Sequence, residues 1–250
     1  MANSVTVLYG KYPVLTALRN RPGSLIAIYS QHSDYLREFI ASEGIGLDLS
    51  LLKQRSSSEL SKMLGDSSLN HQGYVAQLRE NRKIDLYDFI DSLARGNGGT
   101  NPLPKLLILD ELTDPHNVGA ITRTAAAFGV GYLIKTKHSS PRDLAVISKT
   151  SAGTSEFVNI VEVVNINKAI EILKKSGYYV VGLCGRSEKS LKDIRATTNL
   201  CLVVGSEGRG LRRLVRENCD ELRAVKVKNT AVESLNASVA TALAIYELWG

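Results

Sequence analysis

The chain has 250 residues, 44% of them apolar and only 6% aromatic, and carries a net charge of +6 with a pI near 9.2. Those values allow one large or two modest globular units and a polyanionic partner, and they argue against a surface built mainly on base stacking. No apolar run approaches a membrane span, and Cys184, Cys201 and Cys219 form no CxxC pair, so a cytoplasmic protein without membrane contact or structural zinc is expected.

In chain order, SVTVLYG predicts a strand ending at Gly10, and YPVLTALRN a helix with Pro13 in its first turn. SLIAIYS reads as a second strand, SDYLREFIASEG as a capped helix ending at Gly44, and GYVAQL as the strand that closes a small α/β unit over residues 1–80. The serines at 56–58 read as a short low-complexity tract. Residues 81–103 begin charged, hold one short helical pattern and finish in a Gly, Asn and Pro cluster, which predicts a linker. From 104 to 250, the runs KLLILD, GVGYLIK, FVNIVEVV, GYYVVGLC, NLCLVVG and ELRAVKV alternate with helical patterns at 117–128, 165–176 and 232–248. That alternation predicts a mostly parallel sheet covered by helices.

Three stretches carry candidate chemistry. In DPHNVGAITRTAAAFGV (114–130), Asn117 is the expected N-cap, Ile121, Thr124, Ala125 and Phe128 mark a buried face, and Gly129 is the stop. Arg123 lies off that face among small residues, either snorkelling to solvent or approachable by a ligand. In LCLVVGSEGRGL (200–211), an apolar strand runs into Gly205, Gly208 and Gly210 with Glu207 between them. This is G-x-x-G-x-G, which supports neither a dinucleotide fingerprint nor a phosphate loop. In VESLNASVATALAIYELW, Ser234 is the expected helix cap, and Asn236 and Ser238 add polar groups to the first turns. The four histidines lack metal-ligand spacing, so no metal site is expected. Asp110, Glu111 and Asp114 cluster at a strand end, where Mg²⁺ binding and turn chemistry are both open.

Together and in this order, these stretches resemble the SpoU/TrmH class of the SPOUT RNA methyltransferases. The first motif is Asn117, Gly119, Arg123, Ala125, Phe128 and Gly129; the second is Gly205, Glu207, Gly208 and Gly210; the third runs from Ser234 to Ala240. The connecting segment KTSAGTSEFVNIVEVVNINKAIEILKKSGYYVVG (149–182) and RRLVRENCDEL resemble the bacterial subgroup that methylates a guanosine ribose in 23S ribosomal RNA. The N-terminal unit, with YGKYPVLTAL and HQGYVAQL, is similar to that subgroup's ribosomal protein L30e-like substrate-binding domain. The resemblance implies an α/β SPOUT methyltransferase domain with a C-terminal deep trefoil knot, a homodimer, RNA rather than DNA as partner, and S-adenosyl-L-methionine as cofactor. It implies backbone contacts to the cofactor near Leu183, Gly205, Val225 and Leu235, and a reacting ribose surrounded by Asn117, Arg123, Glu207, Ser234 and Asn236.

A guanidinium with a pKa above about 12 is a poor base. Arg123 is therefore expected to grip the RNA phosphate and donate to the developing alkoxide. After CDEL the family usually shows an apolar residue, Pro and Met, where this chain has Val225, Lys226, Val227 and Lys228; Tyr12 stands where His is frequent. The alternatives are a transfer-RNA ribose methyltransferase and a non-catalytic RNA-binding or ribosome-assembly protein of the same fold.

Overall fold

The computed structural model describes residues 5–79, 84–96, 103–137, 146, 149–151, 153–194, 199–228 and 234–250. It resolves into two compact units, one of residues 1–82 with 143–156, the other of residues 83–142 with 157–250.

In the first unit, β1 (Val5–Tyr9), α1 (Lys11–Asn20), β2 (Leu25–Ser30), α2 (Ser33–Ser42), β3 (Leu52–Gln54), α3 (Ser57–Leu64) and β4 (Tyr74–Arg79) follow one another. The sheet order is β1-β4-β2-β3, with β4 antiparallel to both neighbours and β2 parallel to β3. Leu8, Val14, Leu18, Ile28, Leu36, Ala76 and Leu78 fill its main core. The serine tract is the start of a helix: Ser56 accepts from the Glu59 N–H, and the Glu59 carboxylate accepts from the Ser56 N–H at 2.8 Å. Those bonds hold the Glu59 carboxyl below its ordinary range. His71 is a buried structural residue, its Nδ1 accepting from the Gly73 N–H at 3.0 Å and its Nε2 lying 3.2 Å from Ser61 Oγ.

The segment 143–156 belongs to this first unit, although its place in the sequence puts it inside the expected 104–250 domain. Lys149 Nζ donates to Gln72 Oε1 at 2.6 Å, an atom that also accepts from the Lys11 N–H. At Gly153 a Cβ would press on Thr16 and Pro13, so the close approach there requires glycine.

The second unit contains α4 (Leu86–Gly96), β5 (Leu106–Asp110), α5 (Pro115–Ala127), β6 (Tyr132–Thr136), β7 (Asn159–Val163), α6 (Ile166–Lys175), β8 (Tyr179–Leu183), β9 (Leu200–Gly205), α7 (Arg213–Asn218), β10 (Glu221–Arg223) and α8 (Ala237–Trp249). Its described strands form one wholly parallel sheet in the order β10-β8-β9-β5-β6-β7. Burial on both faces is why β5 and β9 read as unbroken apolar runs.

The span expected as a linker, 81–103, holds a packed helix in its middle. Ile84 bridges to Val161, and Phe89 is fully buried in the second unit's core with its ring 4.5 Å from that of Tyr132. The apolar spacing of α4 is that of a packed helix, with Asp88 and Asp91 on its exposed side. The Gly, Asn and Pro cluster at 97–102 lies outside the described residues.

Two helix starts also differ from expectation. Asp114, not Asn117, caps α5, accepting from the His116 and Asn117 N–H groups. Pro115 then takes the first helical position, where a missing N–H costs nothing. Asn236, not Ser234, caps α8. The helix pattern expected from 232 begins at Ala237, and 229–233 lie outside the described residues. Among the described residues no helix is long and apolar enough to cross a membrane.

Candidate active site

The second unit's strand order reverses between β5 and β9. From β5 the sheet grows outward through β6 and β7, and from β9 through β8 and β10. In such sheets the crevice beyond the carboxyl ends at the reversal is where ligands bind. Asp110 and Gly205 are the register partners at that point, and the three sequence motifs follow or flank it.

Asn117, freed from capping, is buried in the first turns of α5. Its Oδ1 accepts from Asn236 Nδ2 at 3.1 Å, and the same Nδ2 donates to Glu207 Oε1. Glu207 Oε1 also accepts from the Ala237 N–H at 3.3 Å. The other end of the Asn236 amide faces its own helix, where Oδ1 accepts from Ser238 N, Ser238 Oγ and Val239 N. Both ends of the side chain are thereby engaged, and its orientation is fixed.

Glu207 sits at the apex of a tight loop. Gly210 N–H donates to Ser206 O and Arg209 N–H to Glu207 O, both at 2.9 Å. Gly208 and Gly210 have φ of 76° and 67°, and a Cβ on Gly205 would run into the Gly210 and Leu211 backbone. That loop is anchored at its base by a contact the sequence did not disclose. Arg212 Nε and Nη2 reach Asp110 Oδ1 at 2.7 and 2.6 Å, its backbone N–H donates to Asp110 Oδ2 at 2.9 Å, and Nη1 lies 3.2 Å from Glu111 Oε1. Asp110 is therefore committed to an arginine and Asp114 to a cap. Among the described residues no His, Cys, Asp and Glu group is arranged to hold a metal ion.

Arg123 and Ser234 stand apart from this network. Six residues of helix place Arg123 about 120° around the axis from Asn117 and about 9 Å along it. Its side chain is exposed and makes no hydrogen bond or ion pair with a described residue. Ser234 is exposed, two residues before the α8 cap. The helices that carry these residues, α5 and α8, pack together, with the rings of Phe128 and Tyr246 edge-on at 6.0 Å.

Leu183 and Gly205 close β8 and β9 at their carboxyl ends, and Val225 follows β10 by two residues. Leu235 immediately precedes the α8 cap. Val225 and Leu235 are half-buried, and their backbone groups make no hydrogen bond with a described residue. The turn at 191–193 packs on α8, and its Leu191 N–H donates to Ala224 O. Lys226, one of the residues that depart from the family pattern, donates from Nζ to Ser187 O at 2.9 Å and ties the end of β10 to the turn after β8.

The family model described as SpoU rRNA Methylase matches residues 104–246. The 23S rRNA (guanosine-2'-O-)-methyltransferase RlmB of Vibrio vulnificus is 33% identical over 246 residues, 96% of this chain and 94% of that protein. RlmB of Escherichia coli is 39% identical over 180 residues, 71% of this chain and 70% of that protein. The crystal structure of the SpoU methyltransferase AviRb from Streptomyces viridochromogenes, in complex with the cofactor AdoMet, superposes with a TM-score of 0.74 at 20% identity. It covers 97% of this chain and 88% of AviRb, and shares the fold.

Proposed function

This chain belongs to the SpoU rRNA methylase family, and from that premise we propose that it methylates the ribose 2′-hydroxyl of a guanosine in 23S ribosomal RNA, using S-adenosyl-L-methionine. The observation that carries the reading is the Asn117–Asn236–Glu207 network beside the β5/β9 reversal, built from all three motifs at once.

The residues present suit the cofactor. Gly205 lets the Glu207 loop fold back onto the end of β9, and Val225 and Leu235 hold, in half-buried positions, backbone groups that no described residue engages. Leu183 supplies apolar contact at the end of β8. When bound, the cofactor supplies a methyl group already activated by its sulfonium. The chain's task is then to order the ribose and to stabilise the oxygen as its proton leaves.

Asn117 presents a fixed amide toward the ribose, Asn236 locks it in place, and Glu207 keeps Asn236 oriented. Ser234, exposed two residues before the α8 cap, orders the ribose or the cofactor. Arg123 grips the RNA phosphate and donates to the developing alkoxide; the proton goes to a phosphate oxygen of the substrate or to water, since a guanidinium cannot take it.

Arg123 performs this for the network of a second copy. Supporting this is its exposed side chain, without a partner among the described residues, on a helix face turned from its own chain's Asn117, together with the exposed apolar stripe Val239, Leu243 and Tyr246 on α8. The homodimer that forms over α5 and α8 completes each site. The C-terminal part of the second unit threads a deep trefoil knot, as its family resemblance implies; the return of α8 onto α5 and the 191–193 turn supports this. The first unit is the L30e-like RNA-binding part, and Lys11 over Tyr35, Arg19 over Phe39 and Lys53 over Tyr29 supply cationic and aromatic groups on it. The protein works in the cytoplasm, where ribosomal RNA is processed.

The test is incubation with methyl-labelled cofactor and unmodified ribosomal and transfer RNA, with label mapped by nuclease digestion and mass spectrometry. Label on a guanosine ribose of 23S RNA is expected. Label in transfer RNA alone overturns the substrate, and the absence of both label and cofactor binding overturns the activity.

A further inference from the structure

We propose that Arg212, Asp110 and Glu111 form a positioning clamp that sets the distance between Glu207 and Asn117, so that Asn236 bridges them. The proposal rests on the methyl-transfer reading for its consequence, though not for its geometry. Asp110 ends β5 and leads into the turn before α5, which carries Asn117. Arg212 ends the loop that carries Glu207. The Asp110 carboxylate is fully buried and takes three donors from Arg212, two from the guanidinium and one from the backbone. Two arms of the planar guanidinium on Oδ1 and the backbone N–H on Oδ2 engage both oxygens of a buried acceptor, which fixes direction as well as distance.

Glu111 adds an independent sign of constraint. It has φ of 55°, a left-handed backbone that a residue with a Cβ keeps only where its surroundings over-determine it. Its carboxylate takes the remaining arm of the same guanidinium. The strained residue and the ion pair thus hold the β5–α5 turn and the Glu207 loop as one piece. None of the three reaches the Asn117–Asn236–Glu207 network directly, so they are positioning residues.

Three variants separate positioning from simple stability: Arg212→Lys, which keeps the charge but loses the fork; Asp110→Asn; and Glu111→Gln, at a half-exposed position where folding is not at risk. Glu217→Gln, which removes only a surface pair with Arg213, is the control. Methyl transfer is measured in single turnover at saturating RNA and cofactor, beside cofactor affinity, RNA KM and Tm. The side-chain amide resonance of Asn236 is followed with ¹⁵N-asparagine, with Asn159, bonded to Gly131 O, as internal reference.

A misplacement near 1 Å costs about 100-fold in rate. Arg212→Lys and Asp110→Asn are therefore expected to slow transfer about 10- to 100-fold, with cofactor affinity and KM within about threefold, and to shift or broaden the Asn236 amide. Glu111→Gln is expected to move both readouts in the same direction by less. An Asn236 resonance and a rate that stay at wild-type values in folded Arg212→Lys or Glu111→Gln protein overturn the clamp, even if Tm falls. If the wild-type protein transfers no methyl group, the activity reading fails, while the Asn236 resonance still decides the clamp.

Discussion

The side-chain amide of Asn236 donates to the side-chain carbonyl of Asn117 at 3.1 Å across 119 residues of sequence. The same amide group reaches Glu207, while the carbonyl end of Asn236 caps α8. One side chain thus serves helix stability at one end and the candidate active site at the other.

These two duties separate by mutation. Asn236→Ala removes a cap, a loss of about 1 kcal/mol of stability, together with the link between Asn117 and Glu207. Asn236→Ser keeps an N-cap oxygen but no donor that spans both partners. The expected outcome is that serine recovers most of the stability and little of the methyl transfer, checked by chemical denaturation beside single-turnover rates.

Arg123 is exposed and has no described partner to lose. Arg123→Lys is therefore expected to leave stability within about 0.5 kcal/mol of the parent. Transfer is expected to fall by about 100-fold or more, because lysine presents a point charge in place of the fork. Mixing this variant with a chain carrying Asn236→Ala tests the shared site, since mixed dimers then hold one intact combination. Recovery of activity on mixing is the expected result, and failure to recover argues that each chain uses its own Arg123.

Phe89 is fully buried in the core of the second unit. Phe89→Ala is expected to cost about 3–5 kcal/mol, a loss no free linker would show. Thermal unfolding followed at second-unit probes measures it; a change below about 1 kcal/mol would mean that α4 adds little to the core.

The cysteines give a pH signature. Burial pushes the Cys219 thiol up to about 12 and holds that of Cys201 well above its usual range, while Cys184 is half-exposed. The folded state favours both buried thiols over their thiolates. The stability they contribute is fully present below the unfolded thiol value near 8.5 and is lost as pH rises toward about 12. Stability is expected to decline through that window, less steeply in Cys219→Val. At pH 8 a thiol reagent is expected to label Cys184 alone until the chain unfolds.

The parallel strands of the second unit were legible because burial on both faces leaves uninterrupted apolar runs such as LCLVV. The first unit yielded less. β3 has three residues, and only Leu60 of α3 is fully buried, so neither element makes a strong periodic signal. A usable cue for α3 did exist in Ser56 and Glu59, the spacing of a capping box.

At α5 both Asp114 and Asn117 are good caps, and Pro115, suited to the first helical position, was the local cue for Asp114. Asn236, far along the chain, engages the side chain of Asn117. Arg212 was invisible for a related reason: its partner Asp110 lies 102 residues away, and an Arg-rich helix start reads as a solvated face until the sheet brings the carboxylate to it. Asn117, Glu207 and Asn236, one from each motif, meet in the fold; the Arg212–Asp110 pair was not legible.

Because residues 143–156 pack with the first unit, the polypeptide passes between the two units three times, at 82/83, 142/143 and 156/157. No single cut yields both pieces whole. A fragment ending at residue 82 would leave Gln72 without Lys149, and Thr16 and Pro13 without the glycine that covers them. A fragment beginning at 83 would carry a tongue of chain with nothing to lie on. Any attempt to study either half alone must graft or excise that tongue, and any gene fusion or insertion between the halves must respect three seams rather than one.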